Sequence, residues 1–254
     1  MIEIGTLAIY LALATCVYAI FASVAGAQWS RRQLVASGEH AAYATWGLVL
    51  IAVGVMLHAL LTNDFRLKYV KDPRDIALIK AAAEKFGWDT RPSPRKGQTG
   101  DKVSGRGIAY SQRNGTRVAV IAEVNVDRST GKIFAKRFTV AHDCGQIINP
   151  DGLEKCIEGN IVQGISRTLW EEVKFDNKNV TSVDWQTYPI LDITETPEKI
   201  DFVLINHPEI PPSGAGEPSI RPVAAAIANA IFDATGVRIR RVPFSPDRVK
   251  QALS

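Results

Sequence analysis

The sequence of 254 residues has little cysteine, and its charges are spread along the chain rather than clustered. Cys16 lies in an apolar run, while Cys144 and Cys156 lack the paired spacing of zinc and redox motifs, so neither a metal cage nor a disulfide framework is indicated. The 30 Lys and Arg residues are interspersed with 26 Asp and Glu residues, which argues against a nucleic-acid partner. After about Lys71 no apolar run reaches the roughly 20 residues that a membrane span needs, which excludes a polytopic transporter.

Charged residues are missing altogether from two stretches near the beginning of the chain, Ile4–Ser30 and Ala41–Asn63. Both stretches are long enough to cross a bilayer, so the sequence predicts two transmembrane helices over about residues 5–28 and 41–62. We therefore interpret residues 1–70 as a helical hairpin in a membrane. A cleaved signal peptide is the competing interpretation of the first stretch, although the stretch is preceded by no Lys or Arg.

The connection between the two predicted spans sets the expected orientation. We expect Arg31–His40 to be a short loop, and the positive-inside rule places this loop in the cytoplasm because it carries Arg31 and Arg32. Basic residues after the second span favour the opposite orientation. His58 lies within the second span, where an ionisable group is a functional candidate; the alternative is a neutral His near the membrane interface.

The residues that follow predict a helix and a flexible linker over residues 71–104. Asp72 and Pro73 are typical of a helix start, and Gly87 is typical of a helix end. The segment Thr90–Ser104 contains two Pro and two Gly residues and indicates a solvated linker rather than a site.

From Gly105 onward the hydrophobic period becomes two, which is typical of β-strands. The Asn114-Gly115 turn and a second turn at Ser129–Gly131 divide the sequence into a three-stranded antiparallel meander. A further strand is expected through Asp201–Asn206. Alternate apolar residues of the middle strand should share one buried face: Val118, Val120, Ala122, Val124 and Val126.

Two long amphipathic helices are expected to cover this face. Asn149 caps the first helix, which ends near Trp170–Val173, and the second covers Ser219–Thr235 and stops at Gly236. The sequence thus predicts an α+β domain over residues 105–254, in which two long helices pack on an antiparallel sheet.

The segment with the most direct chemical meaning is Ser213–Pro218, with the sequence SGAGEP. Gly214 and Gly216 let the backbone approach a ligand closely, and Pro218 places Glu217 at the start of a helix. Burial disfavours an ionised carboxylate and a helix start favours it, so the balance can produce a general base that works near neutral pH. The alternative is that Glu217 only caps its helix and that the glycines only form the turn.

From about Asp72 to its end, the sequence resembles the C-terminal part of the molybdenum-binding subunit of molybdenum hydroxylases, the xanthine dehydrogenase and aldehyde oxidase family, and most of all its isoquinoline 1-oxidoreductase-like members. The matching pieces are GRGIAY, AEVNVD, DCGQIINPDGLEKCIEGNIVQGIS, YPILDITETP and PPSGAGEPSIRPVAAAIANAIFDATGVRIRRVPF. The resemblance implies oxidation of an aldehyde or N-heterocycle. In that reaction Glu217 would deprotonate a Mo–OH group, which attacks the substrate carbon while hydride passes to Mo=S, and Gly214 and Gly216 would lie against the cofactor.

The resemblance further implies molybdopterin cytosine dinucleotide as the cofactor and a partner subunit with iron–sulfur clusters that removes the electrons. Cys156 stands where the family commonly has a Gln close to the pterin, and a thiol is the poorer hydrogen-bonding group. Gln163, two turns further along the same helix face, is a candidate substitute; the alternative is a buried Gln bonded to the backbone. Asp143 and Asn149 are interpreted as turn and cap residues, with a cofactor role as the alternative.

Residues Glu3–Val70 resemble the N-terminus of the large membrane subunit of the cytochrome c haem lyase complex, in particular through RRQLVASGEHAAYATWGLVL and LHALLTNDFRLKYV. The haem-handling features of that family lie in later spans, so no haem role is assigned to His40 or His58. With the loop of Arg31 and Arg32 in the cytoplasm, the soluble part is expected in the periplasm of a bacterium, tethered to the inner membrane.

Both resemblances cover parts of longer proteins, and we therefore expect the rest of the molybdenum subunit to come from another chain. The alternative hypothesis is a non-catalytic fusion of two fragments, joined near Tyr69–Asp72. A membrane-anchored binding module that reuses the α+β fold is the third hypothesis.

Overall fold

The computed structural model describes residues 2–29, 31–61 and 70–254. Side chains are described within residues 7–52, apart from residue 30, and from residue 70 onward. The chain divides into two compact units, Met1–Val70 and Lys71–Ser254. The predicted junction near Tyr69–Asp72 lies partly outside the described residues, because Tyr69 is not among them.

The first unit contains two antiparallel helices, α1 over Ile2–Gln28 and α2 over Arg32–Leu61. Their side chains meet at two hydroxyl pairs, of which Thr15 and Thr45 have Oγ1 atoms 2.8 Å apart. The predicted loop over Arg31–His40 is wrong, since the helix resumes at Arg32. Arg and Gln are good helix formers, so the charge that ends an apolar run does not end a helix.

Among the described residues, one segment is both long and apolar enough to cross a membrane, Leu7–Gln28 of α1. Several of its large apolar side chains are exposed: Leu7, Ile9, Tyr10, Leu13, Val17, Ile20 and Phe21. A second transmembrane helix over residues 41–62 stays a prediction. The side chain of His58 lies outside the described residues, as does residue 62.

The second unit is built on a four-stranded sheet in the order β1-β2-β3-β4. The strands are β1 Lys102–Arg113, β2 Thr116–Asp127, β3 Ile133–Asp143 and β4 Lys199–Ile205. The first three form the predicted antiparallel meander, but β4 runs parallel to β3, so the prediction of an antiparallel sheet is wrong and the sheet is mixed. The connection from β3 to β4 contains a long helix, and such a crossover returns the chain to the end of the sheet from which β3 started.

Five helices and one short 3₁₀ turn complete this unit. They are α3 Pro73–Phe86, α4 Pro150–Leu169, the 3₁₀ turn Ile193–Glu195, α5 Gly216–Ile220, α6 Val223–Thr235 and α7 Pro246–Leu253. The predicted caps are confirmed, because Asp72 and Asn149 accept hydrogen bonds from the first turns of α3 and α4. The predicted continuous helix Ser219–Thr235 is wrong, since the chain breaks at Arg221–Pro222, where proline cannot donate a backbone hydrogen bond.

Helices cover both faces of the sheet. Helices α4 and α6 bury the predicted alternate residues of β2, and the largest fully buried side chains that they contribute are Ile157, Ile161, Ile165, Ile227 and Ile231. Helix α3 covers the opposite face, where Leu78 and Ala82 pack against Ala119 and Ile121. The helix that was predicted to precede a linker is therefore part of the packed domain, and β1 begins at Lys102, within the predicted linker.

Two glycines of β1 explain how closely α6 approaches the sheet. A Cβ atom on Gly107 would lie 2.2 Å from the carbonyl oxygen of Ala226, and one on Gly105 would lie 2.2 Å from that of Ala230. Any larger residue would push the helix backbone away. The glycines of GRGIAY thus serve helix packing.

Ion pairs join α3 to the sheet. Arg74 binds the fully buried carboxylate of Asp143 at the end of β3, and Asp143 also accepts a hydrogen bond from the Gly145 N–H at 3.1 Å. Burial alone would raise the pKa of Asp143, but the Arg74 guanidinium and the Gly145 N–H hold this pKa below its ordinary value. Nearby, Arg117 binds both Asp72 and Asp75.

Candidate functional site

The loop before α5 is tied to two strands of the sheet. The hydroxyl of Thr116, at the start of β2, donates to the Gly214 carbonyl at 2.7 Å. The backbone N–H of Ser213 donates to the carbonyl of Cys144 at 2.9 Å, just after the end of β3. The glycine segment is therefore fixed at the end of the sheet where the β1–β2 turn and the end of β3 meet.

The side chain of Glu217 projects from the first turn of α5 into solvent. Its side chain is 69% exposed, and its carboxylate forms an ion pair with Arg113, which is 43% exposed. The buried environment considered for this carboxylate is thus absent among the described residues. Arg113 is not among the predicted site residues, although its place directly before the Asn114-Gly115 turn indicates exposure at the tip of the hairpin.

The structure brings Gly216 next to Cys156 of α4. A Cβ atom on Gly216 would lie 3.5 Å from the Cys156 Sγ and 3.5 Å from the Asn160 Nδ2. Asn160, one turn after Cys156, donates to the Cys156 carbonyl at 2.7 Å. Asn160 is not among the predicted site residues, although the spacing of four residues places it on the helix face of Cys156.

Gln163 lies on the same face of α4 but has a different environment from the one considered. It is exposed, so the interpretation as a buried Gln bonded to the backbone is wrong. Within the described part of the chain, the Gln163 side chain makes no hydrogen bond with the loop around Gly216, whose added Cβ would lie nearest to Cys156 and Asn160. Burial of a helix residue depends on what packs over it, which the helical period alone does not reveal.

We name the surface formed by Cys156, Asn160 and the Gly214–Glu217 loop, together with Gln163 further along the same face of α4, the glycine face. Cβ atoms added at Gly159 or Gly214 would meet no atom within 4 Å, whereas one on Gly164, on the packed side of α4, would lie 2.9 Å from the Val223 side chain. The glycine face is thus open and lined by amide, thiol, carboxylate and backbone groups. Such a lining fits a polar, hydrogen-bonding organic cofactor that needs close contact with the backbone.

Asn149 and Asp143, for which a cofactor role is the alternative interpretation, are bound to other parts of the fold. Asn149 caps α4 by accepting from the Gly152 N–H at 3.0 Å. Asp143 is fully buried and is bound by Arg74, with the His207 Nε2 atom at 3.5 Å. Both residues therefore act within the fold, as the first interpretation predicts.

A model of the molybdopterin cofactor-binding domain matches residues 78–197, a range that includes β1 to β3 and α4. Glu217 lies beyond this range. The match covers no residue of the first unit, and the resemblance of Glu3–Val70 to a haem lyase subunit stays a prediction.

Two known proteins are similar to the chain over about three quarters of its length. One of the subunits of nicotinate dehydrogenase from Pseudomonas putida is 42% identical over 199 residues, which are 75% of this chain and 17% of that protein. The membrane-bound aldehyde dehydrogenase of Gluconacetobacter polyoxogenes is 34% identical over 71% of this chain and 23% of that protein. The chain thus spans less than a quarter of the length of these relatives.

A solved structure agrees with the fold. Quinoline 2-oxidoreductase from Pseudomonas putida 86 superposes with a TM-score of 0.51 and 30% identity, over 54% of this chain and 18% of that chain. The likeness confirms the predicted α+β domain, with the mixed sheet in place of an antiparallel one.

Proposed function

We propose that the chain forms one wall of a molybdenum hydroxylase active site. Residues 78–197 match a model of the molybdopterin cofactor-binding domain, and the similar proteins support the same assignment. The substrate class is an aldehyde or an N-heterocycle, the two kinds of compound that the names of the relatives carry. In this proposal the glycine face lies against the cofactor and Glu217 is the base.

One observation carries the proposal. The family domain ends before Glu217, yet the fold places the Glu217 loop directly beside α4, with Gly216 next to Cys156. The face that would bind the pterin and the carboxylate that would accept a proton are therefore neighbours. Cys156, Asn160 and Gln163 would hold the cofactor through their side chains, and Gly214 and Gly216 through their backbone.

In such a site, the residues of this chain bind the cofactor and move a proton, while the cofactor carries out the oxidation. The bound molybdenum cofactor supplies oxygen transfer and two-electron oxidation. Glu217 accepts a proton at its carboxylate, and the Arg113 guanidinium that pairs with this carboxylate helps to orient it. Hydrogen bonds at Ser213 and Gly214 tie the loop that carries Glu217 to the sheet and so limit the positions that its carboxylate can adopt, as catalysis by positioning requires.

The rest of the assembly is proposed in the same way. Other residues of a molybdenum subunit supply the remaining walls, the cofactor carries a cytosine dinucleotide, and the electrons leave through iron–sulfur clusters of a partner subunit. The exposed apolar helix α1 anchors the chain in a bacterial inner membrane, with the second unit in the periplasm.

Molybdenum content and turnover test the proposed function. We expect the full chain, purified with its copurifying subunits from a host that makes the cofactor, to contain molybdenum and to reduce an electron-accepting dye with an aldehyde or N-heterocycle. A folded chain without molybdenum under these conditions would contradict the proposal and would favour the non-catalytic fusion.

A further inference from the structure

His142 is a fully buried histidine that the proposed chemistry does not use. It lies near the end of β3, opposite Val118 of β2 and Leu204 of β4. Phe138 and Val140 precede it at the same alternation, and both belong to the core beneath α4 and α6. An apolar side chain would be the ordinary choice at such a position, so the imidazole needs an explanation.

The two ring nitrogens of His142 have different surroundings. Nε2 lies 3.2 Å from the carbonyl oxygen of Ala215, while Nδ1 is buried and has no hydrogen-bond partner within the described residues. Burial lowers the pKa of His142 below its ordinary value, against smaller opposing effects of the Ala215 carbonyl and of Asp143. A neutral imidazole donates from one nitrogen alone, and a carbonyl only accepts, so the proton resides on Nε2.

The acceptor of this hydrogen bond is close to the proposed base. Ala215 precedes α5, and its carbonyl also accepts from the Ser219 hydroxyl at 2.8 Å. Glu217 stands two residues after Ala215 and is itself 69% exposed. The exposed carboxylate thus depends for its position on buried contacts made by the residues around it.

We propose that His142 is a positioning residue for Glu217. The Nε2–H of His142 fixes the Ala215 carbonyl and, with it, the first turn of α5. A buried Nδ1 without a hydrogen-bond partner destabilises the fold. The hold of the Nε2–H donor on the loop explains why a histidine nevertheless occupies this position. The role in turnover rests on the proposed function, whereas the hold on the loop does not.

Three variants separate a donor effect from a packing effect. In His142→Leu the donor is lost, in His142→Gln an amide donor can reach the place of Nε2, and in His142→Asn the donor is too short to do so. Hydrogen exchange of the full chain in detergent reports on the loop. We expect the amides of residues 213–217, 219 and 220 to exchange about 3- to 10-fold faster in the Leu and Asn variants, with recovery in the Gln variant.

Exchange of the β2 amides serves as the control for folding, and it should stay slow in a folded variant. Equal loop exchange in wild type, Leu and Asn variants would overturn the proposal. If the Leu variant does not fold, the comparison of Gln with Asn decides the same point.

The tautomer of His142 in the wild-type protein provides a second test. In full chain labelled with ¹⁵N-histidine, the His142 signal, assigned by its loss in His142→Gln, should show a protonated Nε2 and an unprotonated Nδ1. A protonated Nδ1 would overturn the proposal, because Nε2 could then donate only if the ring were charged.

Kinetic measurements link the role of His142 to the proposed function and show which of the two proposals fails. In molybdenum-loaded protein we expect the Leu and Asn variants to lower kcat with little change in KM, and the Gln variant to restore kcat. An inactive loaded wild type would contradict the proposed function, while loop exchange would still decide the role of His142. Unchanged kcat in a Leu variant with a loosened loop would overturn the link to Glu217.

Discussion

Replacement of Glu217 by Gln is expected to lower the turnover of molybdenum-loaded protein by about 10²- to 10⁴-fold, the usual contribution of a general base. The amide has nearly the same shape as the carboxylate but cannot accept the proton. The fold should not change, because the side chain is 69% exposed and its ion pair with Arg113 lies at the surface. Dye-linked oxidation of an aldehyde or N-heterocycle, normalised to molybdenum content, measures the effect.

A matched carboxylate on α4 provides the control. Glu158 also forms an exposed ion pair, with Lys155 at 2.7 Å, and among the described residues its carboxylate makes no hydrogen bond with the Gly214–Glu217 loop. Glu158→Gln should leave turnover at the wild-type level. Equal activity of Glu217→Gln and wild type, at equal molybdenum content, would contradict the assignment of the base.

Replacement of Arg74 by Met is expected to reduce the free energy of unfolding of the second unit by roughly 3–5 kcal/mol, since it leaves the buried Asp143 carboxylate without its cation. The folded state holds the pKa of Asp143 below its ordinary value of 3.8. This ion pair therefore stabilises the fold above that pH, and the stabilisation is lost as the pH falls through the lowered pKa. Urea unfolding followed by tryptophan fluorescence at neutral and acid pH measures both effects.

Two further variants show whether the unpaired charge is the cause. Adding Asp143→Asn to Arg74→Met should recover part of the lost stability, because the amide keeps an acceptor for the Gly145 N–H without a charge. Lys155→Met, at a side chain that is 79% exposed, should change stability by less than about 1 kcal/mol. A loss in Arg74→Met that is the same at acid and neutral pH would argue against the ion pair.

Local patterns predicted the local features of this fold. Alternation along β2 identified the buried face of Val118 and Val120 because successive strand residues point to opposite sides. The caps at Asp72 and Asn149 were readable because a cap involves only the next few residues. The break at Pro222 has an equally local cause, but the apolar pattern that continues across it concealed the break.

Features that depend on distant partners were not predictable in the same way. A strand pattern over Asp201–Asn206 does not say that β4 pairs parallel with β3, since the pairing depends on the crossover between them. The exposure of Glu217 and Gln163 depends on what packs over them. His142 reaches the site only because β3 ends beneath the loop that carries Ala215, 73 residues away in sequence.

Alkylation of Cys156 tests most directly whether the cofactor lies on the glycine face. Cys156 is exposed and Cys144 is buried, so a thiol reagent should label Cys156 and spare Cys144 in folded protein from a host that cannot make the cofactor. In molybdenum-loaded protein with its copurifying subunits, site-resolved mass spectrometry should find Cys156 labelled much more slowly, because the cofactor covers it. Equal labelling of Cys156 in loaded and cofactor-free protein would contradict this account.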